Sequence, residues 1–334
     1  MKQRRAYIKS VGRFLPERKL TNNDLEKMVD TSDEWIFSRT GIRERRILGP
    51  GPGCSHMAVP AAMECLDRAA VSPEEVDLII VGTVTPDMMF PSTACLVQDM
   101  IGAKNAWGFD LSAGCSGFLF SLSTACQLIE SGRVNRALVI GSDVISTLID
   151  YTDRGTCVIF GDGAGAVLLE ACTEPGFGFL DFILKIDGAG GDYLCLKGGG
   201  SRIPPTHQSL DAGQHYVTQD GRQVFKAAVS EMAEVSVRIL ERNGLVGKDL
   251  TFFVPHQANN RIIEATAKRL NIEDEKVVVN IHKYGNTVAA SIPLALYEAV
   301  MERGRDIKKG DYLLMSAFGA GFTWGSTLLR WWGD

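Results

Sequence analysis

The chain passes twice through the same series of segments, and this repetition restricts its fold more than any single motif does. VDLIIVGTVTP (76–86) is a β-branched apolar run. After a helix-length segment and a short strand-like run it leads to DLSAGCSGFLFSLSTACQLIESGRVNRALVIGSD (110–143). DLTFFVPHQAN (249–259) leads in the same way to VVNIHKYGNTVAASIPLALYEAVMERGRDIKKGDYLLMSAFG (278–319). Each series reads strand, helix, strand, helix, strand, which is the alternation of an α/β fold. Strands are expected at Val76–Gly82, Ala106–Asp110, Ala137–Ser142, Thr156–Phe160, Ala164–Glu170, Thr251–Pro255, Val277–Val279 and Tyr312–Ser316. Helices are expected at Asn23–Val29, Met57–Ala70, Thr93–Ile101, Ser116–Ser131, Gln223–Asn243, Asn260–Leu270 and Ser291–Arg303. Gly188–Gly200, with Pro204-Pro205 behind it, reads as a long surface loop. The repeat divides the chain into halves 1–175 and 176–334. In its register Cys115 and the Asn286-Thr287 pair are equivalent, each at the entry to a long apolar helix. His256 ends a strand, and a pseudo-twofold axis would gather all three.

Composition excludes several classes. The 334 residues are 45% hydrophobic and 22% charged, an ordinary globular balance with ample material for a core. Thirty-five basic side chains against forty acidic ones leave a net charge of −5, which argues against a general nucleic-acid binder. No apolar stretch approaches the roughly 20 residues needed to cross a membrane. The basic start Met1-Lys2-Gln3-Arg4-Arg5 is followed by Arg13, Glu17 and Arg18, which leave no apolar signal region, so a cytoplasmic protein is expected. The eight cysteines form no C-x-x-C pair and the five histidines no zinc-finger spacing, so neither a metal site nor a disulfide framework is expected. Gly161-Asp162-Gly163-Ala164-Gly165-Ala166 matches G-x-G-x-x-A, with Asp181 downstream. The next segment, AVLLEA, is too short and too β-like for the helix of a dinucleotide site. It reads as a glycine-rich turn between strands.

Four places could carry chemistry. Cys115 sits in Leu111-Ser112-Ala113-Gly114-Cys115-Ser116-Gly117-Phe118, where small neighbours permit a tight strand-to-helix turn of the nucleophile-elbow kind. The helix beyond it would favour the thiolate and offer amides to an oxyanion. Locally this residue reads equally as a nucleophile or as a core cysteine at a turn. His256, in Val254-Pro255-His256-Gln257, is by itself more simply a hydrogen-bonded structural residue. Asn286, in Tyr284-Gly285-Asn286-Thr287, is by itself explained as a helix cap. Ala317-Phe318-Gly319-Ala320-Gly321-Phe322-Thr323-Trp324-Gly325 reads either as a hairpin turn or as a glycine-rich backbone close to a ligand.

With Cys115, His256 and Asn286 in this order, the chain resembles β-ketoacyl-acyl-carrier-protein synthase III, a thiolase-fold condensing enzyme. The likeness extends over essentially the whole sequence. It includes Thr31-Ser32-Asp33-Glu34-Trp35-Ile36, Arg39-Thr40-Gly41-Ile42-Arg43, Phe90-Pro91-Ser92, Asp153-Arg154-Gly155-Thr156 and Phe160 to Ala166. It closes with His256-Gln257-Ala258-Asn259 and Gly321-Phe322-Thr323-Trp324-Gly325. The resemblance implies an αβαβα layered α/β fold and a homodimer with no metal or redox cofactor. Cys115 would take an acyl group, acetyl being the expected one, from acyl-CoA. His256 and Asn286 would then hold the thioester oxygen of malonyl-acyl-carrier protein during loss of CO2. The Cys115 and Ala320 amides would accept the oxyanion as the new bond forms. Trp35, Arg39 and Arg154 would hold the adenine end of CoA, Asn259 its pantetheine arm, and Phe90 would reach the partner's acyl pocket.

Taken alone, Trp35 is more simply a packing residue on a helix opened by a Thr31-x-x-Glu34 capping box. Arg261 and Lys268, seven residues apart on one helix, and Arg222 with Lys226 on another, read locally as solvated faces. The resemblance makes them a basic rim for an acidic carrier protein. Two departures from the family pattern bear on the acyl pocket: Ala320 where a third glycine is usual, and Ala113-Gly114 where Ala-Ala is common. The nearest rival is a secondary-metabolite acyltransferase of the same fold. A Cys115/His256 thioesterase is a rival from another class, but it would need an acid behind His256 where the sequence offers Asn286. A non-catalytic CoA-binding relative would not need the Cys115, His256 and Asn286 set.

Overall fold

The computed structural model describes residues 4–302 and 307–333, so Met1, Lys2, Gln3 and the expected helix end at Arg303 lie outside the described residues. One sheet is built from β1 (Arg5–Phe14), β2 (Leu78–Gly82), β3 (Trp107–Leu111), β4 (Arg136–Asp143) and β5 (Gly163–Cys172), in the order β1-β5-β4-β2-β3. Strands β4 and β3 run parallel to β2, and β5 is antiparallel to both its neighbours. A second sheet takes β6 (Gly178–Ile186), β7 (Leu250–Pro255), β8 (Tyr312–Gly319) and β9 (Thr323–Arg330), in the order β6-β9-β8-β7. Its directions repeat those of the first sheet. Where β3 would recur there is a single parallel bridge, Phe253 to Val277.

The helices that matter for the site are α1 (Asp33–Thr40), α2 (Cys54–Ala69), α3 (Thr93–Ile101), α4 (Gly117–Glu130), α5 (Gly221–Arg242), α6 (Asn260–Leu270) and α7 (Ser291–Met301). Helices α2 and α3 cover the outer face of the first sheet, and α5 and α6 that of the second. Helices α4 and α7 lie between the sheets. The layers are therefore αβαβα. This placement explains the unbroken apolar run at 137–140. Ala137 and Val139 pack on the inner helices while Leu138 and Ile140 pack on α2 and α3, so both faces of β4 are buried. It also explains why α4 is apolar almost all round, since it is enclosed by two sheets.

Glycines let the inner layer approach. A Cβ on Gly165 would lie 2.7 Å from the Cβ of Pro293 in α7. The G-x-G-x-x-A run thus enters strand β5, and its glycines admit a helix where a dinucleotide fold would place a pyrophosphate. Asp181 is occupied by an ion pair with Arg242. Among the described residues no helix is long and apolar enough to cross a membrane.

Several expected elements differ. Thr156–Phe160 is a turn, not a strand: Asp153 accepts the Gly155 N–H and the Thr156 hydroxyl, and Cys157 N–H returns to Asp153 O. Its apolar residues are there for burial, and only Phe160 makes a bridge, to Asn286. Val277–Val279 is reduced to the bridge at Val277, and Asn23–Val29 to the four-residue helix Asn22–Leu25. The loop 188–200 contains a short strand, Leu194–Leu196, paired with Val217–Gln219. Helix α1 is capped by Ser32, whose hydroxyl accepts the Trp35 N–H, and not by the Thr31-Glu34 box.

Candidate active site

Cys115 lies in one turn of 3-10 helix, Gly114–Ser116, which runs straight into α4. Gly114 has φ +54°, a left-handed value that glycine takes at little cost. The tip of the β8–β9 hairpin is pressed against this turn. A Cβ on Gly114 would lie 2.9 Å from Ala320 N, and one on Gly319 only 2.5 Å from Cys115 N. Ser116 Oγ donates to Thr323 O (3.0 Å) and Thr323 Oγ1 to Ala113 O (2.8 Å), lacing hairpin and turn together. The glycine-rich segment is thus a hairpin turn and a backbone wall of the site at once.

His256 directly follows β7 and is 2% exposed. Its Nδ1 is 2.5 Å from Ser291 Oγ, at the first residue of α7, while Nε2 has no hydrogen-bond partner among the described residues. Burial lowers its pKa to about 3, so the imidazole is neutral at physiological pH. Asn286 is held through its backbone to Ile159 O (2.9 Å) and from Gly161 N–H (3.0 Å). Its Oδ1 accepts the Val288 N–H at 2.9 Å, which leaves the amide nitrogen as the group facing the Cys115 sulfur. Asn286 is therefore not the helix cap expected from its local sequence, since Thr287 and Ala290 hold the cap positions, but its side chain closes a turn onto the Val288 N–H and faces the thiol as well.

The thiol of Cys115 is pushed up to about 12, by burial first and by the negative charge of Asp143 second. The Asn286 amide and the thiol's own backbone N–H pull the other way. Desolvation outweighs the helix end, so the expected thiolate is not the resting form.

Two cavities meet at this sulfur. A cleft of ≈ 860 Å³ is lined by Cys115, His256 and Asn286 at its base, with Asn259 and Thr40 on one wall and Val224, Phe225 and Met232 of α5 on the other. A second cavity of ≈ 700 Å³ is almost wholly apolar, walled by Val84, Ile145, Leu148, Val217 and Val288 and by Gly114 and Ala320 beside Cys115. Trp35 lies under two guanidinium groups, Arg39 at 4.9 Å and Arg154 at 5.0 Å from its ring centre. Asn259 caps α6 and donates to Arg39 O at 3.0 Å, tying this cluster to the cleft wall.

Arg261, Lys268, Arg222 and Lys226 are all exposed. Arg261 donates to Ser38 O (2.9 Å), and Arg222 and Lys226 flank the residues of α5 that line the cleft. Phe90 is 84% exposed and belongs to neither cavity wall. Three polar residues of the site region were given no role by the sequence. Ser291 meets His256. Gln257 staples the end of β7 to Val278 O and accepts the Asn280 and Ile281 N–H groups. Asp143 ends β4 fully buried. A carboxylate ending an otherwise apolar strand was the one available signal for Asp143.

Comparison with known proteins identifies the family. The family described as 3-oxoacyl-[acyl-carrier-protein (ACP)] synthase III matches residues 109–188, and its C-terminal domain matches residues 240–331. The β-ketoacyl-[acyl-carrier-protein] synthase III of Koribacter versatilis is 57% identical over 330 residues, covering 98% of each chain. The chain belongs to the β-ketoacyl-acyl-carrier-protein synthase III family. The crystal structure of the synthase III from Aquifex aeolicus matches with a TM-score of 0.89 at 47% identity, covering 98% of this chain and 100% of that one. The priming β-ketosynthase of the R1128 polyketide pathway matches at 0.90 and 34% identity, covering 99% and 98%. The fold is thiolase-like, and the protein is an acyltransferase, a condensing enzyme that initiates fatty-acid synthesis.

Proposed function

We propose that Cys115 is the acylated nucleophile, that acetyl-CoA is the primer, and that the two halves of the chain, 1–175 and 176–334, divide the chemistry between them. The sulfur attacks the acyl-CoA carbonyl and CoA leaves as its thiol, taking the proton. Malonyl-acyl-carrier protein then enters the same cleft. His256 Nε2 and the Asn286 amide hydrogen-bond its thioester oxygen, stabilising the enolate left when CO2 departs. The enolate carbon attacks the acyl-Cys115 carbonyl, the Cys115 and Ala320 amides take the oxyanion, and its collapse forms 3-oxoacyl-carrier protein and expels Cys115 as a thiolate, which takes one proton from water to return to the thiol.

One observation carries this reading: the sulfur, the unpartnered Nε2 and the Asn286 amide line the base of one cleft, with an apolar pocket for the acyl chain behind the same sulfur. Asn259 on the cleft wall, with Arg39 and Arg154 next in sequence to the lining residues Thr40 and Gly155 and both on Trp35, suits the pantetheine and nucleotide of CoA. Arg261, Lys268, Arg222 and Lys226 are the basic rim for the carrier protein. The protein is cytoplasmic in this reading, and the exposed Met88-Met89-Phe90 tip supports a homodimer in which Phe90 enters the partner's pocket. Mass spectrometry of the protein after exposure to a panel of acyl-CoAs tests the reading. An acetyl adduct confined to Cys115 is expected. Modification elsewhere, or none with any member of the panel, overturns it. A preference for longer or branched chains would overturn acetyl as the primer and leave Cys115 as the nucleophile.

A further inference from the structure

Asp143 is a fully buried carboxylate that no step above uses, and its two oxygens face different halves of the chain. Oδ1 accepts the Val84 N–H at 2.8 Å and the hydroxyls of Thr83 and Thr85 at 3.1 Å each, all just beyond β2. Oδ2 accepts the Ala289 N–H at 3.0 Å. Ala289 belongs to the turn Val288–Ala290, which follows Asn286 and enters α7. That turn lies directly on β4, since a Cβ on Gly141 would come within 2.3 Å of Ala289 O.

The turn has to be held in place. Val288 has φ +53°, in the left-handed region where a β-branched residue is an outlier that persists only when its surroundings over-determine it. Two hydrogen bonds bracket it. On one side its own N–H reaches Asn286 Oδ1; on the other the next N–H, that of Ala289, reaches Asp143. The first of these is made by the Asn286 side chain itself. Whatever fixes Val288 therefore fixes where the Asn286 carboxamide points.

We propose that Asp143 is a positioning residue for Asn286: by holding the Ala289 N–H it keeps Val288 left-handed, which pins Asn286 Oδ1 and turns the amide nitrogen toward Cys115. This rests on the reading that Asn286 serves the enolate. A carboxylate suits the task because all four partners donate and an ionised carboxylate only accepts. An amide in its place has one accepting oxygen, so its NH2 must face either Val84 N–H or Ala289 N–H, and neither backbone group can rotate away. The two threonine hydroxyls can.

A double-mutant cycle tests the assignment. Decarboxylation of malonyl-acyl-carrier protein and acyl transfer from acyl-CoA to Cys115 are measured in wild type, Asp143→Asn, Val288→Gly, the double variant and Asn286→Ala. Asp143→Asn should slow decarboxylation about tenfold, the effect of losing one buried hydrogen bond, and acyl transfer by less. Glycine adopts the left-handed turn unaided. In the Val288→Gly background the same change should therefore cost less than about threefold, the excess being the coupling of neighbouring sites. An equal loss in both backgrounds overturns the proposal. Asn286→Ala decarboxylating at the wild-type rate would instead overturn the reading of Asn286 beneath it, whatever the cycle gives. If Asp143→Asn folds only when combined with Val288→Gly, the proposal is supported. If neither folds, Asp143 holds the fold as a whole and the proposal fails.

Discussion

Gly114–Ser116 and Val288–Ala290 are one turn built twice. Each is a single turn of 3-10 helix, each leads directly into an inner helix, and their first residues have φ +54° and +53°. Counted from the helix starts at Gly117 and Ser291, Cys115 corresponds to Ala289. The equivalence of Cys115 with the Asn286-Thr287 pair expected from sequence is therefore off by two to three residues. The first turn places glycine at its left-handed position, so that φ costs little, and the Thr323 bonds to Ser116 and Ala113 hold only the residues around it. The second places valine there and is held from both sides, by Asn286 and by a carboxylate from the opposite half. The half with the sulfur shapes its turn from local sequence; the half with the amide depends on tertiary contacts.

The contrast can be broken at three points. The largest effect belongs to the sulfur. Cys115→Ser keeps the turn and should lower transfer of a radiolabelled acyl group to the protein by about 10³-fold or more, as loss of a nucleophile does. Undiminished labelling would remove Cys115 from the reaction. Next is Gly114→Ala, which places a side chain in the left-handed position and a Cβ 2.9 Å from Ala320 N. A loss of about 1–3 kcal/mol in chemical denaturation is expected. A variant as stable as wild type would mean that the two turns do not differ in strain.

The smallest effect is electrostatic. Because the Cys115 thiol is pushed up to about 12, its thiolate fraction, and with it the rate of alkylation by iodoacetamide, should climb roughly tenfold per pH unit from pH 7 to 10 without levelling. A wild-type plateau beginning near the ordinary thiol pKa of about 8.5 would show that burial does not control the sulfur.

Much of this architecture was legible in the sequence because periodicity and burial coincide. Asn260–Leu270 and Thr93–Ile101 have the bounds read from their apolar spacing, and the β2, β4 and β7 regions stand out as β-branched runs. Strands β1 and β6 passed unnoticed for a physical reason. β1 pairs with a register shift between Ile8 and Ser10, and β6 faces one between Leu328 and Leu329. A bulge moves the alternation by one residue and erases the period-two signal. At the site, Cys115, His256 and Asn286 were legible only as a set, through their order and flanking motifs. Asp143 and Ser291 were not, because what distinguishes them is the partner across the sheet or helix end, and no local pattern records a contact between residues 143 and 289 or between 256 and 291.

The cluster at Trp35 has a thermodynamic consequence. With Arg39 at 4.9 Å and Arg154 at 5.0 Å from its centre, the indole ring already has cationic neighbours. A nucleotide base bound there, as proposed above, would not cover a vacant apolar surface. In the proposed reading it would exchange cation–π contacts worth about 0.5–1 kcal/mol each at an exposed site for stacking, and the released guanidinium groups would turn to the phosphates. The net gain at that end is a small difference between similar quantities, sensitive to ionic strength. Two fixed positive charges raise the frequency of encounter more than they lengthen the stay, so the rest of the ligand has to supply the residence time.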